Sequence, residues 1–149
     1  MLNYVLLFCF LWGCGTTEKI THEFHMVDNA RCPNATPELL EYAESSAEDF
    51  FGDREFANDV YINDNLQVEG YWFPNGIAIL CGTTQEICNR LMHEYGHGAA
   101  YARWKDPDRD HTRLVVYWDY WYTYPCIPSV MEENGFENVP QEEVRVVSQ

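Results

Sequence analysis

His93-Glu94-Tyr95-Gly96-His97 is the stretch of this chain whose residue types and spacing point most directly to chemistry. Two histidines four positions apart on a helix share one face, a single turn apart, so their ring nitrogens can converge on one cation. Glu94 is turned by about 100° from His93. There a carboxylate stands beside a metal without ligating it, within reach of a water on the ion. That set suits metal-assisted hydrolysis: zinc acidifies the water, the carboxylate accepts its proton, and the hydroxide attacks a carbonyl polarised by the same ion.

A helix must carry these residues. Thr83 and Glu86 have the spacing of a capping box, and Ile87, Leu91, Tyr95 and Ala99 follow at a period near 3.6, which predicts a helix from about Thr84 to Trp104. Gly96 and Gly98 each cost about 1 kcal/mol relative to alanine in a helix interior, a burden best explained by something packed closely on the backbone. Upstream, Thr36 can cap a second helix with Pro37 and Glu38 in its first turn. Leu39, Leu40, Ala43, Ala47, Phe50 and Phe51 recur at helical spacing until Gly52. Stretches rich in β-branched and aromatic residues, Val60 to Ile62, Leu66 to Phe73 and Gly76 to Leu80, are parted by Asn-Asp and Pro-Asn-Gly turn signals and read as strands, with an earlier strand around Glu23 to Val27. The expected fold is α+β: a small twisted sheet packed on the active-site helix and a second helix.

His93, Glu94 and His97 with Pro128-Ser129-Val130-Met131 downstream resemble zincin-class zinc metallopeptidases, most of all a minimal metzincin. The resemblance spans roughly Gly76 to Met131 and implies a zincin-like fold, one catalytic Zn²⁺ held by His93 and His97, Glu94 as general base, and Met131 as the floor beneath the metal. It also implies that the edge of the strand Gly76 to Leu80 pairs with substrate backbone. The family's longer motif is not kept. Ala100 stands at its helix-ending glycine and Arg103 at its third histidine, so the helix is free to run on toward Asp106-Pro107. His111 is the preferred third ligand because it preserves a three-nitrogen set; Asp106, Asp108, Asp110 and Glu132 are its rivals.

At 149 residues the chain is sized for one domain, and its 46% hydrophobic and 15% aromatic content can fill a core. A formal charge of −15 would repel a polyphosphate, which argues against nucleic acid as a partner; a peptide or protein substrate is what the resemblance implies. Residues 1–13 hold no charged side chain, and their apolar run from Tyr4 to Trp12 is too short to span a bilayer but fits a signal segment. Leu11-Trp12-Gly13-Cys14 resembles a lipoprotein cleavage box with Cys14 lipidated, although Trp12 is bulky and no basic residue precedes the run; a secretory cut after Gly15 is the rival. Either route exports the chain, and membrane association would come only through that lipid anchor. The expected order is signal peptide 1–13, tether and first strand 14–30, and zincin-like domain 31–149.

Export leaves Cys32, Cys81, Cys88 and Cys126, an even set that suggests two disulfides with three possible connectivities. Cys81 and Cys88 bracket a short turn, so the expected pairs are Cys81 with Cys88 and Cys32 with Cys126. The aromatic block from Tyr117 to Tyr124 packs on the core, walls the cleft or binds a peptide or carbohydrate; one of its tyrosines could also stabilise an oxyanion. It sustains two rival readings, an inactive zincin-fold binding module and a purely structural lipoprotein. A last short helix is expected from Pro140.

Overall fold

Strand β1 (Phe24–Met26) opens the described chain, and the first helix begins where Thr36 leaves extended geometry and its hydroxyl accepts a hydrogen bond from the Leu39 amide at 3.3 Å. The computed structural model describes residues 23–52, 59–113 and 124–137. Helix α1 (Pro37–Phe51) starts on a proline whose missing N–H costs nothing there, and ends at Gly52, whose φ of 68° is left-handed. Its buried face is Leu39, Leu40, Ala43 and Ala47, as the periodicity requires.

The sheet continues with β2 (Asp59–Ile62), β3 (Gly70–Phe73) and β4 (Gly76–Ile79) in the spatial order β1-β2-β4-β3. β1 and β4 run parallel to β2, whereas β3 is antiparallel to β4 across a tight hairpin at Pro74 and Asn75. Alternation decides the faces: Val60 and Ile62 of β2 and Ile77 and Ile79 of β4 are fully buried. They meet α1 and the inward side of α2 (Thr84–Trp104), where Ile87, Leu91, Met92 and Tyr95 are fully buried. Each such aliphatic side chain contributes roughly 1.5–3 kcal/mol by leaving water. A third, short helix, α3 (Pro128–Glu133), adds Met131 to the same core. The described chain is therefore α+β, a mixed four-stranded sheet with three helices.

The expected strand from Leu66 begins only at Gly70. The Asn63 side chain accepts from the Asn65 amide at 3.0 Å, a side-chain turn that competes with the ladder and leaves Val68 exposed. The expected disulfide pairing is corrected. Cys32 joins Cys81 and Cys88 joins Cys126, with Cα–Cα distances of 5.5 and 5.6 Å. The capping box starts α2 at Thr84, so Cys81 lies before the helix at the end of β4. Cys88 lies inside the helix on its core face, turned toward the 3₁₀ turn Tyr124–Cys126. A buried hydrogen bond from the Asn34 side chain to the Gly82 carbonyl, 3.0 Å, fastens the strand end beside the first bridge. Two disulfides fit an oxidising, extracytoplasmic location, and among the described residues no helix is long and apolar enough to cross a membrane. The signal segment with Cys14, residues 117–123 of the aromatic block and the helix expected from Pro140 lie outside the described residues.

Proteolysis without reductant is expected to yield peptides linked Cys32–Cys81 and Cys88–Cys126. Replacing Cys88 and Cys126 by alanine should lower unfolding free energy in urea by about 2–4 kcal/mol. Recovery of a Cys81–Cys88 peptide from folded protein would contradict the pairing.

Candidate metal centre

Helix α2 presents its chemistry on the side away from the aliphatic core. Thr83 accepts from the Glu86 amide at 3.2 Å while Glu86 accepts from the Thr83 amide at 2.7 Å, so the capping box is closed in both directions. Tyr95, at the middle of the motif, is fully buried toward Glu44 of α1 and fixes the helix's rotation. His93 and His97 then project together, their Nε2 atoms 3.2 Å apart.

The third nitrogen comes from the loop beyond. The helix does not run on to Pro107: it stops at Trp104, because Lys105 turns left-handed at φ 57° and its amide bonds the Tyr101 carbonyl at 2.8 Å. Asp106 accepts from the Asp108 amide at 3.0 Å. Asp108, itself left-handed and only 2% exposed, accepts from the Thr112 hydroxyl at 3.0 Å and the Arg113 amide at 2.9 Å. These bonds close a turn in which the His111 amide meets the Asp108 carbonyl at 2.8 Å. The ring of His111 is thereby laid over the helix, its Nε2 3.3 Å from that of His97.

One ligand atom from each of His93, His97 and His111 falls within a cluster no wider than 4.8 Å, a group that could hold a metal ion. Around a tetrahedral ion with bonds of about 2.0–2.1 Å, neighbouring donors stand about 3.3 Å apart, so the two spacings match an edge of that polyhedron. Tautomers agree. His97 Nδ1 lies 2.7 Å from the Pro107 carbonyl, which can only accept, so Nδ1 carries the hydrogen and Nε2 keeps its lone pair for the centre. A single lone pair cannot serve two neighbouring ring nitrogens well; a cation between them serves all three. Burial, and then the fields of His97 and His111, push His93 down to about 4, and burial lowers His97 too, so both imidazoles are neutral donors near pH 7.

Glu94 stands beside this cluster on a cleft of about 360 Å³ that also exposes the three histidines. It is 3% exposed, and its Oε2 is buried with no hydrogen-bond partner. Burial raises its carboxyl to about 8 against the opposing pull of the Trp72 backbone N–H and the Arg109 charge; a dication alongside would favour the ionised form. Strand β3 makes this arrangement possible. A Cβ on Gly70 would stand 2.6 Å from Glu94 Oε1, and one on Gly98 would stand 2.9 Å from the Trp72 indole nitrogen. Gly98 thus has the close neighbour that its helical cost implied. Asn89 Oδ1, on a residue lining the same cleft, is also buried without a hydrogen bond, a further unmet polar group of the kind found at binding sites.

The structure brings His93, Glu94, His97 and His111 together and assigns the rivals elsewhere. Asp106 and Asp108 brace the turn, Asp110 accepts from the Thr112 hydroxyl at 3.2 Å, and Glu132 is exposed on α3. Met131 is 3% exposed within the core and is not part of the cleft lining. The substrate-edge expectation for Gly76 to Leu80 is corrected: β4 is bonded to β2 on one side and β3 on the other, so β3 is the outer strand and the one that walls the cleft. Gly70, Trp72 and Arg109 escaped the sequence reading. A glycine inside the expected strand Leu66 to Phe73 was the signal for Gly70; nothing local marked the other two.

Purified protein should bind one Zn²⁺ per chain in calorimetry, and His111→Ala should weaken that binding by more than about 100-fold, whereas Asp110→Ala and Glu132→Ala should change it little. Gly70→Ala should keep the metal and the fold but displace the Glu94 carboxylate, which a crystal structure of the variant would reveal. No protein-family model matches the chain, and neither curated proteins nor solved structures show a significant match to it.

Proposed function

We propose that the chain is an exported zinc metallopeptidase of the zincin type, most like a minimal metzincin. The observation that carries this reading is the buried, unpartnered Oε2 of Glu94 beside three clustered imidazoles, two of whose nitrogen spacings match the edge of a tetrahedral site. Three imidazole nitrogen donors favour zinc over the hard, oxygen-seeking cations. Bound there, zinc would supply Lewis acidity toward a water and toward the scissile carbonyl.

The chain's own residues do the rest. Glu94 takes the proton of the attacking water on its carboxylate and delivers it to the departing amine, so one group serves as base and then acid. Its oxygen is aimed by the Trp72 N–H and by the absence of a side chain at Gly70, which prepares the geometry before substrate arrives. The Pro107 carbonyl keeps His97 in the tautomer that faces the centre. Met131 is the counterpart of the family's methionine turn, and it enters through the first turn of a helix that begins on Pro128. Cys14 is the site of a lipid anchor, and the two disulfides support work outside the cytoplasm.

Mature protein supplied with zinc should cleave casein or a peptide library; a chelator should abolish cleavage and added zinc restore it. Glu94→Gln should lower the rate by about 10²–10⁴-fold while retaining the metal. Metal bound at full stoichiometry without cleavage, and with Glu94→Gln indistinguishable, would favour instead a binding module built around residues 117–124.

A further inference from the structure

The chain carries nine Lys and Arg against 24 Asp and Glu, so a cation left without an acidic partner needs a reason. Arg109 is one such cation among the described residues, and of these cations it is the one that lines the cleft. Its Nη2 donates to the Trp72 carbonyl at 3.2 Å, its guanidinium lies over the Tyr71 ring at 4.3 Å, and no described carboxylate pairs with it. It is exposed and lines the cleft, and its charge is felt at both Glu94 and His97. Arg90, the other guanidinium there, is spent: its Nη1 donates to the Leu80 and Cys81 carbonyls at 3.2 and 3.0 Å, and Glu69 lies near its Nε.

We propose that Arg109 is a recognition residue that makes the cleft a receptor for a carboxylate of the bound peptide, either an acidic side chain or a free C-terminus. Bridging the histidine loop to β3 uses one of the five N–H donors, and a lysine or glutamine could do as much. A guanidinium held over an aromatic ring keeps its remaining donors free, and their planar fork is the shape that takes a carboxylate through two parallel bonds. Tyr71, 45% exposed, holds the group at the mouth of the cleft. On a molecule of net charge −15, Arg109 at the mouth of the cleft is a local point of attraction for an acidic segment that most of the surface repels. This inference deepens the peptidase reading by naming its substrate class, but the recognition needs no turnover and is measured apart from it.

The test uses zinc-loaded Glu94→Gln protein and three end-blocked synthetic peptides that differ only in a central Asp, Asn or Lys, plus an N-acylated pair ending in a free carboxylate or an amide. Affinity is read by calorimetry. The Asp peptide, or the free-acid member of the pair, should bind at least about tenfold more tightly than its neutral twin, and which of them does so identifies the source of the carboxylate. Adding Arg109→Gln should bring that ratio close to one, and Arg109→Glu should turn the preference toward Lys. Arg109→Lys, the variant least disturbing to the loop, should give an intermediate ratio. Metal content is measured on every variant. Equal affinities in the parent, no binding of any peptide, or an acidic preference that survives Arg109→Gln because the metal itself takes the carboxylate would each overturn the proposal. A carboxylate preference that needs Arg109 in a protein that cleaves nothing would sustain it while defeating the peptidase reading.

Discussion

Spacings of 3.2 and 3.3 Å bring three imidazole nitrogens together, and most of what is unusual in this chain serves that meeting. One helical turn supplies the first two at 3.2 Å without further help. The third has to travel from a loop that turns back within seven residues of the helix end. It does so through left-handed geometry at Lys105, Asp108 and His111, none of them glycine. Non-glycine residues hold such geometry only when their surroundings enforce it. Here the enforcement is visible: Asp108 is buried and doubly engaged, and the Pro107 carbonyl is bonded to the ring that the loop must reach.

The same economy governs Glu94. Its carboxylate is held off water by β3, yet one oxygen has no partner, and Asn89 nearby carries a further unmet atom. Groups of that kind each cost about 1–3 kcal/mol in a folded protein. A domain of this size, with a modest core, offsets such costs with covalent help. The bridges tie the end of β4 to the segment before α1, and the first turns of α2 to the approach of α3, so the helix that bears the chemistry is braced at its N-terminal end. The C-terminal end is braced differently, by the loop itself and by Arg109 reaching β3.

Much could be read along the chain before any fold was known. Both long helices, their caps at Thr36 and Thr83, and the pair of histidines with Glu94 between them depend on neighbours three or four residues away, and those interactions are written locally. The alternation of Val60 with Ile62 and of Ile77 with Ile79 likewise marks strands, because a strand's faces repeat every second residue. The four cysteines were legible as a set. His111 was legible as a candidate but not separable from the aspartates around it.

What could not be read depends on contacts between residues far apart in the chain. Which cysteine meets which follows from the face of α2 on which Cys88 emerges, a consequence of where the helix starts and what it packs against. The choice of β3 over β4 as the cleft wall follows from strand order, which no local pattern encodes. Gly70 is required by a carboxylate 24 positions later, and Arg109 is held by a ring and a carbonyl on another element. Short-range hydrogen bonds and periodicity are properties of a segment; strand order, loop closure and the filling of a cleft exist only once the whole chain has folded back on itself.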